Sequence, residues 1–110
     1  MIMKEIGKLP PYTGLLSDYA LKNFLDKGYD PKDTKYTILT VTVEQDSPVF
    51  QQNALDSKGR HLLDCWRIFR LAKMIKDDPL RSYSKIKVRI DFEEGEIKQV
   101  NYTIYPLRQE

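Results

Sequence analysis

His61 is the only histidine in this 110-residue chain, and Asp64 and Cys65 follow it by three and four positions. On a helix these spacings bring the three side chains to one face. An imidazole held by a carboxylate can act as a general base, and one beside a thiol can activate a nucleophile. The neighbours argue against both. Cys65 stands among Leu62, Trp66 and Phe69, and burial there raises a thiol pKa and blunts its reactivity. His61, beside Arg60, reads as a surface position. We assign no catalytic residue, and an enzyme alternative rests only on His61 or on a carboxylate cluster.

Metal chemistry is as poorly provided for. One histidine and one cysteine cannot supply the ligands of a structural zinc site. Asp30, Asp33, Glu93, Glu94 and Glu96 carry oxygens, but DPKDTKY lacks the ordered spacing and central glycine of a calcium loop. None of the five glycines falls in a phosphate-binding spacing, and no serine stands in a nucleophile elbow. We expect no metal and no cofactor.

The cations are the remaining chemical feature. Net charge is only +2, yet Lys58 to Arg89 holds ten Lys and Arg against three acidic residues, Asp64, Asp77 and Asp78. Arg67, Arg70 and Lys73 share a helical stripe. Lys85, Lys87 and Arg89 share a strand face. With Tyr36, a ring at the start of a strand, Arg67, Arg70, Lys73, Lys87 and Arg89 are the candidate partner contacts. If a helix covers the sheet on the side of Ile86, Val88 and Ile90, the strand cations point away from it. The two basic rows then lie on different sides of the domain, or meet only at an edge. RNA recognition further asks for aromatic rings interleaved with the cations, and Tyr83 and Tyr105 are near the right strands.

These residues need elements to hold them. KIKVRIDFEEGEIKQVNYTIY (85–105) alternates apolar and polar residues with period two on both sides of Glu94-Gly95, the pattern of a β-hairpin with one buried face. Val100, Tyr102 and Ile104 are expected to share that buried face. KYTILTVTVE (35–44) is rich in β-branched residues and predicts a strand with Leu39, Val41 and Val43 inside. Its other face, with Tyr36 and Ile38, is half apolar. DYALKNFLDKG predicts a helix capped by Ser17, burying Ala20, Leu21, Phe24 and Leu25 and closed by Gly28. Asp46-Ser47-Pro48 ends the strand, and a loop or a short helix starting at Ser47-Pro48 is expected over VFQQNALDSKG. RHLLDCWRIFRLAKMIK (60–76) predicts a long amphipathic helix with Trp66, Phe69 and Leu62 as core anchors, stopped by Asp77-Asp78-Pro79. Residues 1–14, with Pro10-Pro11, suit an extended arm or edge strand.

The expected fold is therefore α+β. One domain spans 1–110, with a mainly antiparallel sheet of at least three strands, the helix of about 60–76 on one face, and the C-terminal β-hairpin of about 85–105. Composition, 41% hydrophobic and 31% charged, suits a compact core. No apolar run approaches the roughly 18–20 residues that cross a bilayer. MIMKEIGKLPPYTG has no signal-peptide core, and a single cysteine excludes an internal disulfide, so a cytoplasmic protein without a membrane role is expected. A small non-enzymatic module that binds a macromolecule, foremost a protein, fits best, in the manner of inhibitory or immunity-type accessory proteins. The alternative is an RNA- or DNA-binding domain using the basic 58–89 region. A homo-oligomer is left open.

Overall fold

Ile86, Val88, Ile90 and Phe92 are all buried in the computed structural model, which describes residues 9–45, 47–57, 59–63 (backbone only) and 68–107. The chain runs through helix α1 (Thr13–Asp26), a 3-10 turn (Pro31–Asp33), and strands β1 (Thr34–Glu44), β2 (Ser47–Asp56) and β3 (Gly59–Leu63). Helix α2 (Phe69–Lys76) and strands β4 (Tyr83–Glu93) and β5 (Glu96–Pro106) follow. The strands make one five-stranded sheet in the order β3-β2-β1-β4-β5, with every pairing antiparallel. The fold is α+β, and both helices pack on one face of the sheet. Their buried side chains join Leu39, Val41, Ile86 and Val88 in a single core.

Period-two alternation places β1 and β4 as expected, because the two strands pair with each other at the centre of the sheet. Val41 lies opposite Ile86, and Leu39 opposite Val88. The β4–β5 hairpin turns at Glu94 (φ 54°) and Gly95 (φ 86°), the double positive φ of the turn that matches strand twist. A side chain at Gly95 would also strike the stem of Lys32, 2.8 Å from where its Cβ would lie. Tyr102 and Ile104 pack against the core, whereas Val100 stands at the exposed edge of the sheet.

Helix α1 begins one turn earlier than Ser17. Thr13 Oγ donates to the Pro10 carbonyl at 3.1 Å, while Ser17 sits inside the helix and donates to Gly14 O at 2.9 Å. The earlier start truncates the expected arm. It also rotates the buried stripe onto Leu16, Ala20, Asn23 and Phe24, leaving Leu25 exposed. Gly28 does close the helix. The amide of Gly28 bonds to Leu25 O, and that of Tyr29 to Phe24 O. With Gly28 at φ 89° this is a Schellman ending, and Tyr29 stacks on Phe24 at 5.6 Å as its apolar contact.

Two expected elements are corrected. Residues 47–56 form a strand, not a short helix, and β2 pairs with β1 along nearly its whole length. Pro48 is tolerated there because β3 reaches only Gln52–Asp56, so the first half of β2 is an edge. The helix expected over 60–76 is likewise confined to Phe69–Lys76. Residues 60–63 pair instead with β2, Ala54 lying opposite His61 and Gln52 opposite Leu63. Cross-strand hydrogen bonds with β2 override a segment too short to specify its own period. In the shortened helix Ile68, Leu71 and Ile75 face the core, and Phe69 turns outward. Asp64, Cys65, Trp66 and Arg67 lie outside the described residues.

One buried polar network joins the layers. Gln52 Nε2 donates to the Ala20 carbonyl and to Thr37 Oγ, both at 2.9 Å. Asn23 Nδ2 donates to Gln52 Oε1 at 3.0 Å, and Thr37 passes its own proton to the Asn53 carbonyl at 2.9 Å. Gln52, Thr37 and Ala20 are fully buried. We expect Gln52→Leu to cost about 2–3 kcal/mol and lower the melting temperature by roughly 10 °C, since it withdraws a partner from three buried polar groups at once. A thermal unfolding curve equal to wild type would count against the network as the fastening of α1.

Candidate functional site

Residues with chemical potential are divided between the two faces of the sheet. Arg70 and Lys73 lie on α2 and are exposed, Lys73 pairing with Asp77 at 2.9 Å one turn on. Lys87, Arg89 and Tyr36 lie on the opposite face, which neither helix covers. Arg67 is outside the described residues. The candidate contacts therefore do not converge, because a strand inside a sheet must send alternate side chains to opposite sides.

The helical side carries a groove of about 850 Å³ between α1 and α2. Leu15 and Tyr19 line one wall, and Ile68, Phe69, Leu71 and Met74 the other. Phe69 is 78% exposed, Leu15 47% and Met74 43%. Asp18 and Lys22 border it from α1, with Arg70, Lys73 and Asp77 from α2. Sequence periodicity assigned Phe69 to the core and so concealed this wall. The available signal was the spacing of Phe69 from Lys73 and Lys76, which sets it on the charged side of the short helix.

The open face is different in kind. Arg89 lies 4.0 Å from the centre of the Tyr36 ring and bonds through Nε to Asp91 at 3.0 Å. Lys85 and Lys87 flank the Tyr105 ring at 5.0 and 5.8 Å. These contacts hold long cationic side chains over half-buried rings.

No nucleophile or general base is assembled among the described residues. His61 is in β3, so the helical spacing that would align it with Asp64 and Cys65 is not formed at its position. The acidic turns are occupied structurally. Asp30 caps the 3-10 turn through the Lys32 amide, Asp33 accepts from Ser57, and Glu93 faces Lys98 at 3.7 Å. Among the described residues no group of three potential metal ligands gathers, and no helix is long and apolar enough to cross a membrane.

Among the described residues, two buried phenols are linked in a row from Tyr83 through Tyr12 to the Asp78 carboxylate. Tyr12 donates to Asp78 Oδ2 at 2.9 Å and is itself hydrogen-bonded to the Tyr83 hydroxyl. Burial pushes the Tyr12 phenol far above its usual range, and the Tyr83 and Asp78 contacts push it further. Tyr83 is also raised, chiefly by burial. Both phenols are held neutral, which suits a latch between the start of α1, the end of α2 and the start of β4, and does not suit a nucleophile.

No protein family model, curated protein or solved structure matches the chain. Function must therefore be argued from the two surfaces themselves.

The phenol latch has a pH signature. A tyrosine titrates near 10 when unfolded and higher in this fold, so the stability it contributes is complete below about pH 10 and declines above it as the unfolded chain loses its proton. Tyr12→Phe should lower stability at neutral pH by about 1–2 kcal/mol and show a shallower alkaline decline. Denaturant titrations at pH 8 to 11 distinguish the outcomes, and parallel declines for the two proteins would remove Tyr12 from the latch.

Proposed function

We propose that the chain is a small non-enzymatic module that binds another protein by accepting an amphipathic helix in the α1–α2 groove. The observation that carries this is Phe69, 78% exposed on a groove wall whose other members are also apolar. Solvent-facing aromatic and methionine side chains in a concave surface are typical anchors for a partner's apolar residues. Covering Phe69 would contribute roughly 1.5–3 kcal/mol, and Leu15 and Met74, already half covered, about half as much each, before the entropic cost of association.

Charge and shape select the occupant. The rim alternates sign, with Asp18 and Asp77 beside Lys22, Arg70 and Lys73. A polyanion would meet two carboxylates there. A peptide with both signs flanking its apolar stripe would meet a complementary rim. Two helices already form the floor, and a third can lie on them at the usual 8–10 Å separation.

A displayed library of helical peptides, selected on the folded chain, tests this directly. Enriched sequences should carry apolar residues at i, i+3 or i+4, and i+7, and should bind Phe69→Lys at least tenfold more weakly by calorimetry, with Lys87→Glu unaffected. Phe69→Lys should melt within a few degrees of wild type, since Phe69 is not in the core. Enrichment without that pattern, or full affinity for Phe69→Lys, would overturn the groove assignment.

A further inference from the structure

Lys85, Lys87 and Arg89 occupy alternate positions of β4 and point away from both helices, so positive charge repeats about every 6.6–6.8 Å along the strand. Register sets Tyr105 and Thr103 beside Lys85 and Lys87 on β5, and Thr42 and Thr40 beside them on β1. One end of the row carries the Tyr105 ring under two lysines, and the other the Tyr36 ring under Arg89. Arg89 is neutralised by Asp91, but Lys85 and Lys87 have no carboxylate partner among the described residues. Neither the core nor the groove uses this row.

We propose that this open sheet face binds single-stranded RNA. A line of cations with two unneutralised members is complementary to a backbone of regularly spaced phosphates, in contrast to the mixed-sign rim of the groove. Lysine stems are flexible, so Lys85 and Lys87 can leave the Tyr105 ring for phosphate and expose a platform for a base. At the other end the Arg89 guanidinium, fixed over Tyr36, presents a second planar surface of the kind on which bases stack. Thr40, Thr42 and Thr103 lie between the platforms with hydroxyls that can both donate and accept, as a ribose 2′-hydroxyl requires. The strand face carries no helix among the described residues to enter a duplex groove, so only unpaired bases can reach the rings. The site stands on the far side of the sheet from the helical groove and is independent of it, so both can be occupied at once.

Fluorescence anisotropy with an unstructured RNA of about a dozen nucleotides, the same sequence as single-stranded DNA, and an RNA duplex provides the test. Single-stranded RNA should bind tightest, with log K falling against log salt at a slope of roughly −1.4 if Lys85 and Lys87 each neutralise one phosphate. Lys87→Gln should weaken binding and flatten the slope by about 0.7. Tyr105→Ala should weaken it roughly tenfold with the slope unchanged, and Tyr105→Phe, which keeps the ring, should restore it. Melting curves of each variant verify the fold, and Phe69→Lys should bind RNA as wild type does. No binding at about 50 mM salt, or wild-type affinity in both Lys87→Gln and Tyr105→Ala, would overturn the site. Equal affinity for DNA would overturn its assignment to RNA, and equal affinity for the duplex its assignment to single strands.

Discussion

Gln52 lies fully buried between α1 and the sheet, where each atom of its amide must find a partner or cost the fold stability. The helix carbonyl of Ala20, the amide of Asn23 and the hydroxyl of Thr37 supply those partners. Apolar contacts alone would let a helix slide or rotate on a sheet at modest cost. A directional network at its centre does not. The placement of α1 in turn decides which face of β1 and β4 is dry, and so which residues are left to solvent.

That choice creates both surfaces. With α1 packed over β1 and β4, the short α2 lies over β2, where Ile68, Leu71 and Ile75 seat it. The space between the helices, unfilled by the described residues, forms the groove. Strand geometry does the rest, since the same alternation that buries Ile86, Val88 and Ile90 drives Lys85, Lys87 and Arg89 outward. One sheet thus separates an apolar, mixed-charge surface from a basic, aromatic one. The exposed ion pairs on the helices, Lys22–Asp26 and Lys73–Asp77, add little to stability.

Much of the β-structure was legible because its signal is local. The 34–44 strand and the first strand of the 83–106 hairpin alternate over most of their length, and the hairpin turn needs a positive φ that Gly95 supplies. Of the candidate contacts, Lys87 and Arg89 could be placed on a common face by parity alone. Other features were concealed where a local pattern competed with a distant partner. Gln52 occupies an inward position of β2, and a polar residue there breaks the alternation that would have marked 47–56 as a strand. Leu62 and Leu63 fall in helical phase with the apolar residues of the true helix at 69–76, so periodicity merged the two segments, and Phe69 was drawn into a core it does not enter.

Hydrophobic period and turn chemistry, read along the chain, determined the α+β class, the C-terminal hairpin and the central strand. These follow from backbone preferences that each segment carries with it. Tertiary structure alone decided that β2 and β3 extend the sheet, where α1 begins its buried stripe, and which side chains become neighbours. Cross-strand hydrogen bonds and the satisfaction of a buried amide depend on residues far apart in sequence, and no window along the chain contains both partners.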